Sequence, residues 1–294
     1  MKPAPFDYHR PDSVAAAAQL LTELGGDDAK LLGGGQSLVP MLSMRLAFFD
    51  HLIDISRLEE MKGIEATGDT LRIGGGTTHA TVGSDEQVRA GVPLLTRATP
   101  LIGHFQIRSR GTIGGSIAHA DPAAEYGAVA LALDATIETV STSGGREIAA
   151  KDFFAGVWET AMEPDEILVG VRFPIWSGRC GFAVEEFARR HGDFAIAGAV
   201  AAVELDDDDK VRRSGIGLLG GLSATPRRAS AAEEAIVGRP VGDITAEEIG
   251  ELAMSGLDDI PADLQGSADY RRRVGGAAMA AQAWRAAVKE AFDA

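Results

Sequence analysis

The sequence carries one cysteine, Cys180, among 294 residues. A disulfide within the chain, a CxxC zinc site and an iron–sulfur cluster ligated by this chain each need more thiolates than that, so all three are excluded. Basic residues are also few, with 28 Lys+Arg against 43 Asp+Glu and a formal charge of -15, which argues against electrostatic binding to nucleic acid or to an anionic membrane. No stretch supplies the roughly 18 uncharged apolar residues of a membrane span, and the opening MKPAPFDYHRP lacks the basic cluster and apolar run of a secretory leader. A soluble, cytoplasmic protein is the expectation, and any redox chemistry has to come from a bound cofactor.

Several motifs are missing as well. Neither GxGxxG nor GxxxxGK(S/T) occurs, so the standard dinucleotide fingerprint and the P-loop are absent. No GxSxG elbow is present, since GLSAT lacks the final glycine. His104, His119 and His191 are far apart and show no HExxH spacing, which argues against a metal site. Asp206 to Asp209 lacks the alternating ligands and central glycine of an EF-hand and reads as a solvated turn.

What the chain has is apolar residues, 45% of the total, and 36 glycines, many of them clustered. Asp12 or Ser13 can cap a helix over VAAAAQLLTEL that Gly25 ends, and KLL reads as a short buried strand. LLGGGQSL then leads to Ser37 as N-cap of LVPMLSMRLA, with Pro40 in the first turn. HLIDI and the two halves of GIEATGDTLRIGGG read as strands, THATVGSDEQVRA and Pro93 to His104 as helical. QIRSRGTIGGSIAHADPAAEY is too rich in glycine and small polar residues for a regular element. Asp121 at N-cap and Pro122 at N1 predict a new helix over AAEYGAVALAL. A hairpin around Gly144-Gly145 follows, then the apolar strand DEILVGVRFP, stopped by Pro174. Beyond PIWSGRC, three strands (GFAVEEFAR, FAIAGAVAAVEL and VRRSGIGLLGGL) and a helical tail make a smaller antiparallel α+β region, in which Cys180 reads as buried and inert.

Backbone N–H groups without Cβ atoms, opening onto a helix N-terminus, form a concave donor surface suited to a pyrophosphate. Gly33, Gly34, Gly35, Gln36 and Ser37 have that form. For a single loop, a tight strand-to-helix turn needing positive φ is the simpler reading. The second loop, GTIGGSIAHADP, changes the weighing, because two such loops could clasp one diphosphate from both sides. A third cluster, GGGTTHA from Gly74, fits a packing role at least as well as a cofactor contact.

Taken together, LLGGGQSLVPMLSMRL, QIRSRGTIGGSIAHADPAAEY and EFARRHGDFAIAG resemble the FAD-binding medium subunit of molybdenum hydroxylases, the family of aerobic carbon monoxide dehydrogenase and xanthine dehydrogenase. The resemblance runs along nearly the whole chain, from FDYHRP to the helical tail. It implies an α+β protein: a PCMH-type FAD-binding domain over 1–176, made of α/β subdomains at about 1–56 and 57–176, and a C-terminal flavoprotein domain over 177–294 with a small antiparallel sheet and helices. It implies FAD as cofactor, with Gly33, Gly34, Gly35, Gln36, Ser37 and Leu38 donating to the pyrophosphate and Thr112, Gly114 and Gly115 facing them. His119, Asp121 and Glu125 become candidate contacts along the ribityl chain and flavin edge, although relatives often carry Asp where Glu125 stands. Leu168 matches a position whose backbone approaches the ring, and an ordinary core leucine is an equal alternative. Phe194, in GDF where relatives have GDY, keeps a stacking face without the hydroxyl. Glu185-Glu186 stands where relatives often place a basic residue.

The family further implies a large molybdopterin subunit and a small subunit with two 2Fe–2S clusters as partners, in a dimer of heterotrimers, with electrons leaving the FAD for an external acceptor. No side chain of this chain is then a general acid or base, because the flavin supplies the redox chemistry. Two alternatives stay open: a free-standing FAD-dependent oxidoreductase, and a flavin-free binding protein of the same fold. The substrate of a complex is not encoded in this chain. The glycine reading also predicts that Gly34→Val loses FAD while the chain stays folded.

Overall fold

The computed structural model describes residues 2–25 and 28–294. Near its start, β1 (Asp7–His9), β2 (Ala29–Leu32) and β3 (His51–Asp54) form a parallel sheet in the order β1-β3-β2. Parallel neighbours need crossovers, and α1 (Val14–Glu23) and α2 (Leu38–Met44) supply them. The α1 helix starts where its sequence directs, with Ser13 Oγ accepting the Ala16 N–H at 3.1 Å. Its buried face, Ala17, Ala18 and Leu21, packs with Ile53, Leu58, Met61 and Ile167.

The second sheet contains β4 (Ile64–Thr67), β5 (Thr70–Gly74), β6 (Thr136–Ser141) and β7 (Gly144–Ala149). After a small hairpin of β8 (Phe154–Gly156) and β9 (Glu159–Thr160), β10 (Ile167–Pro174) inserts at its centre, giving the antiparallel order β4-β5-β10-β6-β7. A central strand is covered on both faces, which is why ILVGVRFP is apolar almost throughout. Between β5 and β6 run α3 (His79–Ser84), α4 (Glu86–Gly91), α5 (Pro93–Ala98), α6 (Phe105–Arg108), α7 (Ile113–His119) and α8 (Glu125–Ala132).

Three local expectations are corrected here. The segment read as irregular contains α6 and α7. Asp121 is not the cap of α8: its Oδ1 accepts the Ala123 N–H at 2.9 Å in a local turn, and the helix begins after Ala124. Gly144 is the first residue of β7, so the hairpin turns on Thr142 and Ser143.

The third sheet is antiparallel, in the order β11 (Arg179–Phe187), β12 (Ala197–Leu205), β13 (Val211–Gly220) and β14 (Arg227–Arg228). The helices α9 (Ser230–Ile236), α10 (Ala246–Ala253), α11 (Ala268–Arg273) and α12 (Ala281–Asp293) follow, with a π-helical stretch, Val274–Ala280, before the last. Alternation along β12 sends Ala197, Ala199, Ala201, Val203 and Leu205 into the core shared with Ile236, Ile249 and Trp284. Val200 and Ala202 face the other way, into the core shared with α8. That second contact is close, because Cβ atoms on Gly215 and Gly217 would fall on the carbonyl oxygens of Ala132 and Ala128. Arg97 of α5 adds a polar tie, donating to the Phe182 carbonyl and to both carboxylate oxygens of Glu290 on α12. Cys180 is buried as expected, and burial pushes its thiol up to about 11. Among the described residues, no helix is long and apolar enough to cross a membrane.

Candidate cofactor site

The first glycine loop joins β2 to α2. Gly35 has φ +75°, the left-handed region that glycine enters freely, and this turns the chain so that Val39 N–H donates to the Gly35 carbonyl. Among the described residues, the main-chain N–H groups of Gly33, Gly34, Gly35, Gln36 and Ser37 donate to no protein acceptor. Five successive unengaged donors thus stand at the entry of α2. Ser37, expected as N-cap, does not cap: its backbone is already helical and its hydroxyl makes no capping bond. Leu38 is the first residue of α2 and is partly covered.

The second loop lies against the first. A Cβ on Gly33 would stand 3.3 Å from Thr112 Oγ1, and one on Gly34 would fall on the Arg110 carbonyl and within 2.6 Å of Gly111 Cα. The glycine at 34 is therefore required by the approach of another part of the chain. This overturns the expectation that Gly34→Val spares the fold. Thr112 caps α7, its Oγ1 accepting the Gly115 N–H at 3.1 Å, and the Gly114 N–H donates to the Gly75 carbonyl at 2.9 Å. The donors of Gly114 and Gly115 are thus engaged within the protein, so the two loops are not symmetric. The first offers N–H groups, and the second offers a wall on which exposed Gly115 leaves room.

Beyond that wall, the chain brings together two candidate residues and two that the sequence did not single out. His119 stacks on Trp158 with ring centroids 6.0 Å apart and planes 12° from parallel. Trp158 Nε1–H donates to Asp121 Oδ2 at 3.5 Å, so His119, Asp121 and Trp158 form one cluster. Burial is the main cause that lowers the His119 pKa; Asp121 opposes it and the Lys30 ammonium adds to it. Lys30, on β2 just before the first loop, also lies over the Phe49 ring at 5.8 Å. The only sequence signals were a lone Trp at a hairpin tip and a lone Lys in an apolar strand.

Glu125 opens α8 and is buried, only 7% exposed; burial, then the charges of Glu186 and Asp121, push its carboxyl up to about 8. Burial likewise pushes Glu186, on β11, up to about 7, and its Oε2 is buried without a partner among the described residues. The Glu186 charge thus acts on a second buried carboxyl, that of Glu125. Leu168 is a core residue, 5% exposed, whose carbonyl would lie 2.6 Å from a Cβ on Gly75, one layer behind the second loop. Phe194 is 64% exposed. Its neighbour Gly192 packs on Gly103 and His104, beside a cleft of about 350 Å³ lined by those two residues, Phe105, Gln106, Arg108 and His191.

Comparison with known proteins identifies the family. Residues 4–176 match the FAD binding domain in molybdopterin dehydrogenase, and residues 182–287 match the CO dehydrogenase flavoprotein C-terminal domain. The chain is 42% identical over 274 residues to the 6-hydroxypseudooxynicotine dehydrogenase complex subunit alpha of Paenarthrobacter nicotinovorans, covering 93% of this chain and 92% of the relative. It is 37% identical over 276 residues to the carbon monoxide dehydrogenase medium chain of Hydrogenophaga pseudoflava, covering 94% and 95%. A solved structure of carbon monoxide dehydrogenase from Hydrogenophaga pseudoflava superposes with a TM-score of 0.92 at 38% identity, over 99% of both chains.

Proposed function

The chain belongs to the FAD-binding medium subunits of the molybdenum hydroxylases, and from that premise we propose how its own residues hold the cofactor and where it stands in a complex. It is an FAD-binding oxidoreductase subunit that works with a large and a small partner subunit. The observation that carries the assignment of the site is the row of unengaged N–H groups from Gly33 to Ser37, set against Thr112.

In this reading, the N–H groups of Gly33 to Ser37 take the two negative charges of the FAD pyrophosphate, and the α2 N-terminus faces them. Thr112, Gly114 and Gly115 form the opposite wall, holding the loops at a fixed separation through the Arg110–Gly34 contact. His119, Asp121 and Glu125 follow along the wall as polar neighbours of the ribityl chain, and Phe194 offers its exposed ring as a stacking face. Leu168 supports the wall from behind. FAD held there would supply the redox chemistry, a passage of electrons from the small subunit's 2Fe–2S clusters to an external acceptor. The protein binds, orients and shields, with no side chain acting as catalytic acid or base.

The further proposals are a dimer of heterotrimers in the cytoplasm, a large subunit with the molybdopterin cofactor, and a division of this chain at 1–176 and 177–294. Purification with the native partners, followed by a visible spectrum, a gel and metal analysis, tests them. Flavin bands with two further subunits, iron and molybdenum are expected. A yellow chain without partners would favour a free-standing oxidoreductase, and a colourless preparation would overturn the cofactor assignment.

A further inference from the structure

The third glycine cluster, Gly74 to Ala80, docks on the second loop. Gly75 accepts the Gly114 N–H at 2.9 Å, Thr77 accepts the Ile113 N–H at 3.0 Å, and Thr78 bridges to Thr112. His79 completes the row with two bonds. Its main-chain N–H donates to the Gly111 carbonyl at 2.8 Å, and its ring Nε2 lies 2.9 Å from the Thr112 carbonyl. A carbonyl only accepts, so Nε2 carries the proton and Nδ1 is bare; Nδ1 is buried with no partner among the described residues. The imidazole is 5% exposed and lies beneath Gly111, where a Cβ would meet Cε1 at 3.1 Å. Behind it, Tyr126 packs edge-on at 5.1 Å and donates to or accepts from Thr99 Oγ1 at 2.6 Å. His79 thus holds two consecutive carbonyls of the loop that forms the wall, Gly111 through its main chain and Thr112 through its ring, with Tyr126 packed behind.

We infer that His79 is a positioning residue for the flavin: through the Thr112 carbonyl it fixes the second loop at the height where Thr112 and Gly115 meet the cofactor, without touching the cofactor itself. The inference rests on the reading that this loop walls the FAD site. Two features separate it from simple core filling: the ring's one hydrogen bond among the described residues, made by Nε2, goes to the residue that caps α7, and Nδ1 is buried with no partner among them. Burial of a polar ring is costly unless its donor is satisfied, so the Nε2 bond is what such a side chain is suited to supply.

Two amide substitutions separate the two nitrogens. His79→Gln places an N–H donor near Nε2, and His79→Asn places one near Nδ1. The full 294-residue chain, freed of flavin, is titrated with FAD by fluorescence quenching, with amide hydrogen exchange followed over residues 111–117. Expected is a Kd for His79→Gln within about threefold of the unsubstituted chain, and for His79→Asn a Kd weakened about tenfold or more, roughly 1.4 kcal/mol, with faster exchange in that segment. Thermal melting of both variants accounts for any general loss of fold. Equal FAD affinity and equal exchange in the two variants would overturn the positioning role while leaving the cofactor assignment standing. Failure of the unsubstituted chain to take up FAD would overturn both.

Discussion

The main-chain carbonyl of Arg110 stands where a Cβ on Gly34 would have to go, and Gly111 Cα is 2.6 Å from the same point. Two loops distant in sequence are held in register by an absent methyl group, so the fold and the cofactor site depend on the same contact.

Gly34→Ala should therefore damage both. A methyl group that meets backbone must move one of the loops, an overpacking cost of about 1–3 kcal/mol. Expected are a lower melting temperature of the flavin-free chain and a Kd for FAD weakened tenfold or more. Gly242→Ala, whose added Cβ meets nothing within 4 Å, serves as the control that leaves both unchanged. A Gly34→Ala chain that melts like the parent would disprove the contact.

The Glu125 and Glu186 carboxyls set an alkaline limit on stability. Their folded pKa values, about 8 and about 7, lie above the ordinary value of 4.5, so the folded chain holds protons that the unfolded chain has released. The resulting stabilisation is complete below pH 4.5 and is lost as pH rises through 7 to 8. The Glu125 shift alone corresponds to up to about 5 kcal/mol, and Glu186, which is less deeply buried, adds to it. Glu125→Gln and Glu186→Gln stay neutral, so in urea denaturation Glu125→Gln should flatten the decline between pH 4.5 and 8 and Glu186→Gln that between pH 4.5 and 7. Parallel pH curves for parent and variants would refute the buried carboxyl pair.

His79 acts in the opposite sense. Burial, partly opposed by the Thr112 bond and aided by Arg108, lowers its pKa to about 4, against 6.5 for an ordinary histidine. The neutral ring's contribution is complete above pH 6.5 and is lost as pH falls from 6.5 through 4, up to about 3 kcal/mol. The carboxyl pair works against it between pH 4.5 and 6.5, so the readout is the difference between the parent and His79→Gln over that range. That difference should shrink toward acid, where the parent is penalised and glutamine is not; a constant difference would show that His79 does not titrate in the fold.

Much of the framework is legible in the sequence because local signals agree with tertiary demands. In α1, the Ser13 cap, the alanine-rich face and the following Gly25 all mark one helix. Along β12, the unbroken run of small apolar residues AGAVAAV marks a strand covered on both faces. Helix α7 is not legible in this way: glycines at 114 and 115 speak against helix, and its first turn is stabilised by the Thr112 cap and by bonds to Gly75 and Thr77, from a different segment. Ser37 fails as a cap for the converse reason, since the turn at Gly35 has already made its backbone helical. The candidate site was legible in its loops and not in its supports. Nothing near Gly34 predicts the arrival of Arg110, and nothing near His79 predicts Thr112, because these contacts depend on chain segments packing at long range. Trp158 is a lone aromatic in a short hairpin, and its meaning appears only once α7 ends beside it.

That meeting of hairpin and helix end supplies the last prediction. Burial is the chief cause that lowers the His119 pKa, and Trp158 supplies part of that burial through its stacked ring. Trp158 itself has φ +59° and is 55% exposed, and its backbone N–H donates to the Ala120 carbonyl at 3.4 Å. A residue held with positive φ at a hairpin tip, its ring laid on a histidine, is an arrangement that costs conformational strain while it covers the imidazole. Trp158→Ala should open the ring to water and raise the His119 pKa toward 6.5, as followed by its ring protons in NMR titration. Lys30→Met should raise it as well, by removing a repelling charge, and the two effects should add because one acts through solvation and the other through charge. Loss of FAD affinity in Trp158→Ala with the His119 titration unchanged would mean that the tryptophan serves the cofactor directly, and the cover argument would fall.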